Sequence, residues 1–199
     1  VFDLLEYRGK LEGKYVHMKI TKIQHAALVG MILGDGYLQK TGARNARLRL
    51  EHRADHEEYL LWKARLLPKL FQGAPTFLKR VHPETRRQYS YVRLQSHASP
   101  DLGRLRTLFY PNGRKRFPEN LPKLLSAEVG FAIWFYDDGY YYLRDNSLCL
   151  YLGTVDRAEA EIAKSTLFVN FGIASVIKDK KVKGFALYFP ASEREKIST

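Results

Sequence analysis

With 199 residues, 45% of them hydrophobic, the chain can bury a core as one domain or as two small ones. Its 33 Lys and Arg against 21 Asp and Glu leave a formal charge of +12, which points to a polyanionic partner such as nucleic acid or an acidic membrane surface. No apolar run approaches the roughly 18 residues of a spanning helix, the acidic start at Val1–Glu6 is unlike a signal peptide, and the single Cys149 excludes an intrachain disulfide and a multi-cysteine zinc site.

Residues 1–20 carry scattered charge with no recognisable chemistry and read as an extension. Thr21 and Gln24 then have the spacing of a capping box before an apolar run, which predicts a helix from Lys22 to Asp35 containing ALVGMILGDG. Gly30 and Gly34 lie four apart on one face of that helix. Glycine there costs about 1 kcal/mol each relative to alanine, so close approach of a second helix is the expected compensation. In residues 44–53, RNARLRLEHR, Leu48 and Leu50 alternate with Arg47, Arg49 and Glu51, the period of a half-buried strand with a basic outer face. Asp55 is placed to cap a helix running as far as Phe71. His52 and His56 have a four-residue spacing that a metal could use, but no third ligand accompanies them.

Two strands follow at Thr76–Val81 and Gln88–Gln95 around a turn at residues 82–87. Lys79, Arg80, Arg86, Arg87 and Arg93 with Tyr89 and Tyr91 give this hairpin the chemistry of phosphate and base contact, unless it is simply a solvated basic surface. Pro100–Phe109 reads as a short helix, and the proline-bounded basic loop at residues 111–122, PNGRKRFPENLP, as the connector between two halves.

Ser126 is placed to cap a second apolar helix, FAIWFYDDG at residues 131–139, with Glu128 in its first turn. This helix ends in Asp137 and Asp138. A carboxylate at a helix C-terminus is disfavoured by roughly 0.3 to 1 kcal/mol, and a bound cation would offset it. Gly139 is expected to leave the helix in the left-handed conformation. Strands are predicted at residues 140–143 and 147–152, a helix after Asp156, and a last hairpin at 174–179 and 185–189 around Lys178, Lys180, Lys181 and Lys183; a final helix begins near residue 192. Helix, strand, strand, helix, strand, strand, helix is thus read twice. Asp35 and Asp138, each before a glycine, stand 103 residues apart.

The two stretches, LVGMILGDG at residues 28–36 and FAIWFYDDG at 131–139, resemble the motif of the LAGLIDADG homing endonucleases, in the form with two motifs on one chain. The resemblance covers nearly the whole chain from Thr21. It implies an α+β fold of two pseudo-symmetric αββαββα halves, with antiparallel sheets forming a DNA-binding saddle and the motif helices at the interface between halves. The halves would be residues 21–110 and 126–199, joined by a linker at 111–125. It further implies site-specific, metal-dependent double-strand cleavage of DNA by a monomer encoded in an intron. Mg²⁺ is the expected cofactor, with Mn²⁺ as a substitute.

Carried over residue by residue, the resemblance makes Asp35 and Asp138 the catalytic metal ligands, with Gly34 and Asp137 beside them. Glu51 matches the polar partner near the metal, and Lys115, in a basic stretch before a proline, matches the catalytic lysine. Gly153 and Thr154 stand where a second polar partner belongs, and the chain stops before a second lysine. The DNA-contacting residues are expected to be Arg44, Arg47, Arg49, His52, Arg53, Lys79, Arg80, Arg86, Arg87, Tyr89, Tyr91, Arg93, Tyr141, Lys178, Lys180, Lys181 and Lys183. The partner is double-stranded DNA, with the host intron RNA as a second partner if the chain is instead a splicing maturase. A basic structural protein explains the charge but not the paired Asp-Gly helix ends. No membrane partner is expected, and an intracellular place follows, cytoplasmic in a prokaryote or else organellar.

Overall fold

The computed structural model describes residues 20–198, so the expected N-terminal extension lies, apart from Ile20, outside the described residues. In chain order the elements are helix α1 (Lys22–Leu33), strands β1 (Tyr37–Lys40) and β2 (Ala46–Arg53), α2 (Glu57–Leu66), β3 (Thr76–Val81), β4 (Gln88–Gln95), α3 (Pro100–Phe109) and the short α4 (Leu121–Leu124). There follow α5 (Glu128–Asp138), β5 (Gly139–Tyr142), β6 (Ser147–Gly153), α6 (Arg157–Phe171), β7 (Val176–Asp179), β8 (Phe185–Phe189) and α7 (Arg194–Ser198). The αββαββα order occurs twice with α4 between the copies. Each copy makes an antiparallel four-stranded sheet, in the orders β1-β2-β4-β3 and β5-β6-β8-β7, the same topology in both.

The described chain packs as two compact units, one of residues 35–107 and one of 21–34 with 108–198. In the first, β2 buries Ala46, Leu48, Leu50 and His52 on one face while the intervening residues stay half-exposed, as the alternation in the sequence predicts. Val92 and Leu94 of β4 and Leu60 and Leu67 of the α2 region are buried in the same unit. A leucine fully buried contributes about 1.5 to 3 kcal/mol, so a handful of such residues suffices to seat one helix on one sheet.

In the second unit the two motif helices α1 and α5 pack on each other. All of Ala26–Leu33 is buried, which explains why α1 is apolar all round rather than striped. The approach is so close that a Cβ on Gly30 would lie 2.8 Å from the Cα of Gly130. The compensation expected for Gly30 is therefore this helix pair. Trp134 of α5 is fully buried and meets Phe117 edge-on at 5.5 Å.

Several local expectations need correction. The capping box of Thr21 and Gln24 is present, but α1 ends at Leu33 with Gly34 as cap, which puts Asp35 just beyond the helix. Asp55 bonds Arg53 within a 3-10 turn and leaves α2 without a side-chain cap. Helix α2 stops at Leu66, because Pro68 disfavours helical backbone in the residue before it. Ala127, not Ser126, is the N-cap of α5, again with no side-chain bond, whereas Asp156 and Glu159 make a complete box at α6. Gly139 leaves α5 extended, at φ −81° and ψ 155°, not left-handed. Its glycine is required by space, since a Cβ would lie 2.9 Å from the Phe135 ring.

Candidate functional site

The site begins at the end of α1. Gly34 caps the helix, and a Cβ there would lie 2.8 Å from Cγ of Asp137, so the Asp137 carboxylate of α5 rests on the last turn of α1. Gly34 is joined directly to Asp35. Asp138, the residue in register with the motif, is also half-buried. Lys115 donates from Nζ to the carbonyl oxygens of Leu33, at 2.8 Å, and Gly34, at 2.6 Å. The orphan carbonyls of a helix C-terminus carry partial negative charge. A cation demanded by the sequence at this end is thus supplied in part by the chain itself, and the Gly34 carbonyl is already engaged by Lys115.

In the other unit, the Asp35 carboxylate is about half-exposed and its Oδ2 lies 3.6 Å from Nδ1 of His52. His52 faces the core with Leu48 and Leu50, away from the arginines of β2 with which the sequence reading grouped it. Its other nitrogen, Nε2, is 3.1 Å from Nζ of the fully buried Lys63. Lys63 was missed by sequence reasoning, because a lysine between Trp62 and Ala64 on an amphipathic helix looks like any solvated one. His56 is exposed beside Asp55, 4.0 Å from it, and forms no pair with His52.

The register defines what the open face of the first sheet carries. Opposed residues in antiparallel strands share a face, so Arg49 with Tyr37, Arg47 with Gln39, Glu51 with Arg93, and Arg53 with Tyr91 all point the same way. Arg80 joins them opposite Tyr89, while Lys79, opposite Ser90, lies on the other face. Arg49 stacks over Tyr37 at 5.2 Å and Arg80 over Tyr91 at 4.7 Å. Glu51 accepts from Arg80 at 2.6 Å and Arg93 at 2.7 Å. Burial pushes its carboxyl up, but the hydrogen bonds from Arg80 and then Arg93 outweigh that and hold it below the usual carboxylate range. Arg44, Arg86 and Arg87 are exposed in the connecting loops, Arg86 with a φ of 56° in its turn.

The second sheet has the same topology and a different surface. Tyr140 and Tyr188 oppose Cys149, and Tyr142 shares their face with Tyr151. The Tyr142 and Tyr151 hydroxyls are 2.6 Å apart, and Lys180 donates to the Tyr188 hydroxyl at 2.9 Å. That ammonium pulls the Tyr188 hydroxyl below the usual tyrosine range, whereas the bond to Tyr151 raises Tyr142. Cys149 is fully covered, and burial pushes its thiol up. Tyr141 lies on the opposite face and bonds Asn146 at 2.6 Å under Arg194. Lys178, Lys181 and Lys183 are exposed. Beside the lysines, the sequence reading named Tyr141 alone among these tyrosines and did not single out Tyr140, Tyr142, Tyr151 and Tyr188, whose common face is set by a strand register it did not define.

The twice-repeated αββαββα order, the glycine-mediated contact of α1 and α5 and the two four-stranded antiparallel sheets define an α+β fold of the two-motif endonuclease class. The model of the LAGLIDADG DNA endonuclease family matches residues 25–197, and the chain belongs to that family. Among curated relatives, a probable intron-encoded endonuclease 1 of Wickerhamomyces canadensis is 26% identical over 181 residues, 88% of this chain and 77% of its own length. The cytochrome b mRNA maturase bI2 of Debaryomyces hansenii is 26% identical over 69% of this chain and 50% of its own. Protein RecA of Mycobacterium shimoidei is 30% identical over 63% of this chain, which spans only 28% of that protein. Among solved structures, the homing endonuclease I-WcaI bound to its DNA recognition sequence aligns over 89% of this chain and 79% of its own, with a TM-score of 0.79 and 26% identity.

Proposed function

We propose that this chain is a site-specific DNA endonuclease that makes metal-dependent double-strand breaks and is encoded within an intron. The observation that carries the reading is the end of the motif helix pair, where Asp137 rests on Gly34, the residue before Asp35, and Lys115 crowns the same helix end. The intron-encoded relative and the DNA-bound I-WcaI support it. The proposed halves are residues 21–110 and 126–199, linked by 111–125 and acting as a monomer inside the cell.

The donor chemistry suits a hard divalent cation. Asp35, Asp137 and Asp138 offer carboxylate oxygens, the ligands that Mg²⁺ and Mn²⁺ take. A divalent cation held there would polarise the scissile phosphate and lower the pKa of a bound water. Lys115, tethered to the end of α1, would stabilise charge on the phosphate or the leaving oxygen. Arg47, Arg49, Arg53, Arg80 and Arg93 on one sheet, and Lys178 and Lys180 with the tyrosines on the other, would hold the double helix through phosphate and base contacts.

The likeness to a maturase favours one other reading, binding of the host intron RNA without DNA cleavage. A randomised plasmid library challenged with the chain in Mg²⁺ and in EDTA separates the two. Linearised plasmids sharing one sequence, in Mg²⁺ only, support the endonuclease. Intact plasmids with tight binding of intron RNA would move the assignment to the maturase.

A further inference from the structure

We propose that Lys63 and His52 form a buried positioning pair behind Asp35, present only in the first half of the molecule. Lys63 is fully buried, and burying an ammonium is costly unless its donors are satisfied. Packing does not require it there. Counted from the pairs Tyr37–Arg49 and Tyr140–Cys149, the counterpart of His52 in the second half is Leu152, at a register shift, and at the spacing of Lys63 helix α6 buries Ala163, so neither member of the pair recurs there.

The chemistry gives the pair a direction. An ammonium has three donors and no acceptor. Lys63 lies 4.4 Å from the centre of the Tyr59 ring, over a face that favours a cation. As an ammonium, its Nζ, 3.1 Å from Nε2 of His52, can only donate, and so to a bare imidazole nitrogen. The imidazole proton must then sit on Nδ1, the atom that faces Asp35 Oδ2 at 3.6 Å. That distance is too long for a hydrogen bond but short enough for the N–H dipole to attract the carboxylate. His52 with Nδ1 protonated has no lone pair for a metal, so it orients the Asp35 carboxylate and is not itself a ligand. One Asp35 oxygen thus faces His52 from behind. Partners behind a ligand are the ordinary means of aiming it. This inference rests on Asp35 being a metal ligand.

Imidazole ¹⁵N spectra of the free chain test the direction. Wild-type His52 should show protonated Nδ1 and bare Nε2, and Lys63→Met should shift it toward the opposite tautomer. Mn²⁺ broadening of the backbone signals around Asp35 gives the second readout. His52→Leu, which copies Leu152 and so preserves packing, and Lys63→Met should each need about tenfold more Mn²⁺ for half-broadening. His52→Asn, which keeps an N–H near the position of Nδ1, should stay within about twofold of wild type, because the dipole toward Asp35 is retained. Wild-type His52 protonated on Nε2, or unchanged Mn²⁺ demand in both His52→Leu and Lys63→Met, overturns the pair. Asp35→Asn separates the two failures: unchanged broadening there removes the metal reading of Asp35 and the pair with it. Weakened broadening in Asp35→Asn alone leaves the metal reading and removes only the pair.

Discussion

The two sheets share strand order yet present different chemistry. The first offers guanidinium groups, with Arg47, Arg49, Arg53, Arg80 and Arg93 on one face and Glu51 clamped between two of them. The second offers phenol, with Tyr140, Tyr142, Tyr151 and Tyr188 over a buried Cys149 and Lys180 as a cation bonded to one hydroxyl. Where β2 carries Glu51, the same register in β6 carries Tyr151. One topology thus supports a face suited to phosphates and guanine edges and another suited to apolar contact and bidirectional hydroxyl hydrogen bonds. Core packing constrains the inner residues, and the outer ones are left to vary.

The largest expected difference between the halves concerns their acids. Asp137 rests on the end of α1, so Asp137→Asn should slow cleavage at least about a hundredfold, or roughly 2.7 kcal/mol, with Asp138→Asn, in motif register, as the comparison. Single-turnover cleavage of a selected target measures both, and undiminished cleavage by Asp137→Asn with loss in Asp138→Asn would leave the metal to the residue in motif register alone. A smaller effect on stability is expected at the helix pair, where both halves meet the same constraint. Gly30→Ala drives a methyl into Gly130 and should cost about 1 to 3 kcal/mol or more by overpacking, read from urea unfolding. Gly42→Ala, with open space around it, should cost little.

Salt dependence sharpens the comparison of the sheets. Each phosphate contact contributes about 0.9 to the slope of log affinity against log salt. Alanine at Arg47, Arg49 and Arg93 should therefore flatten the slope by two or more in total. Phenylalanine at Tyr142, Tyr151 and Tyr188 should weaken selectivity for one half of the target and leave the slope unchanged. Equal changes of slope for both sets would erase the distinction.

The smallest effect is a pH dependence confined to the first sheet. The Glu51 carboxyl titrates below its ordinary value of 4.5 in the folded chain, so the stabilisation it brings is full above that pH and is lost as pH falls through the folded value. Glu51→Gln should be less stable than wild type near neutral pH, and the gap should close on acidification below about 4.5. A gap constant over that range would show that Arg80 and Arg93 hold Glu51 too loosely to matter.

What could be seen in the sequence follows what each feature depends on. The capping box at Thr21 was legible because both partners lie within four residues, and β3, β4 and α3 because their period and punctuation are local; the equally local box of Asp156 and Glu159 was passed over. Asp55 and Ser126 had the right residue type, but the chain caps both helices elsewhere. The paired motif helices were legible from Gly30 and the repeated acid. Gly130, its partner, was not singled out, since nothing local distinguishes a glycine that touches another helix. The side of the sheet on which His52, Lys79 and Tyr141 lie depends on strand registers set by distant partners. Lys63 was invisible for the same reason, as its burial comes from β2 and not from its own helix.

The account stands most directly on Asp35. With one labelled target, wild type and Asp35→Asn are compared by gel shift in Ca²⁺ and by strand-resolved cleavage in Mg²⁺. The predicted result is equal binding, with cleavage of both strands by wild type and none by the variant, because Asn keeps the shape and loses the charge that a cation needs. Undiminished double-strand cleavage by Asp35→Asn would contradict it.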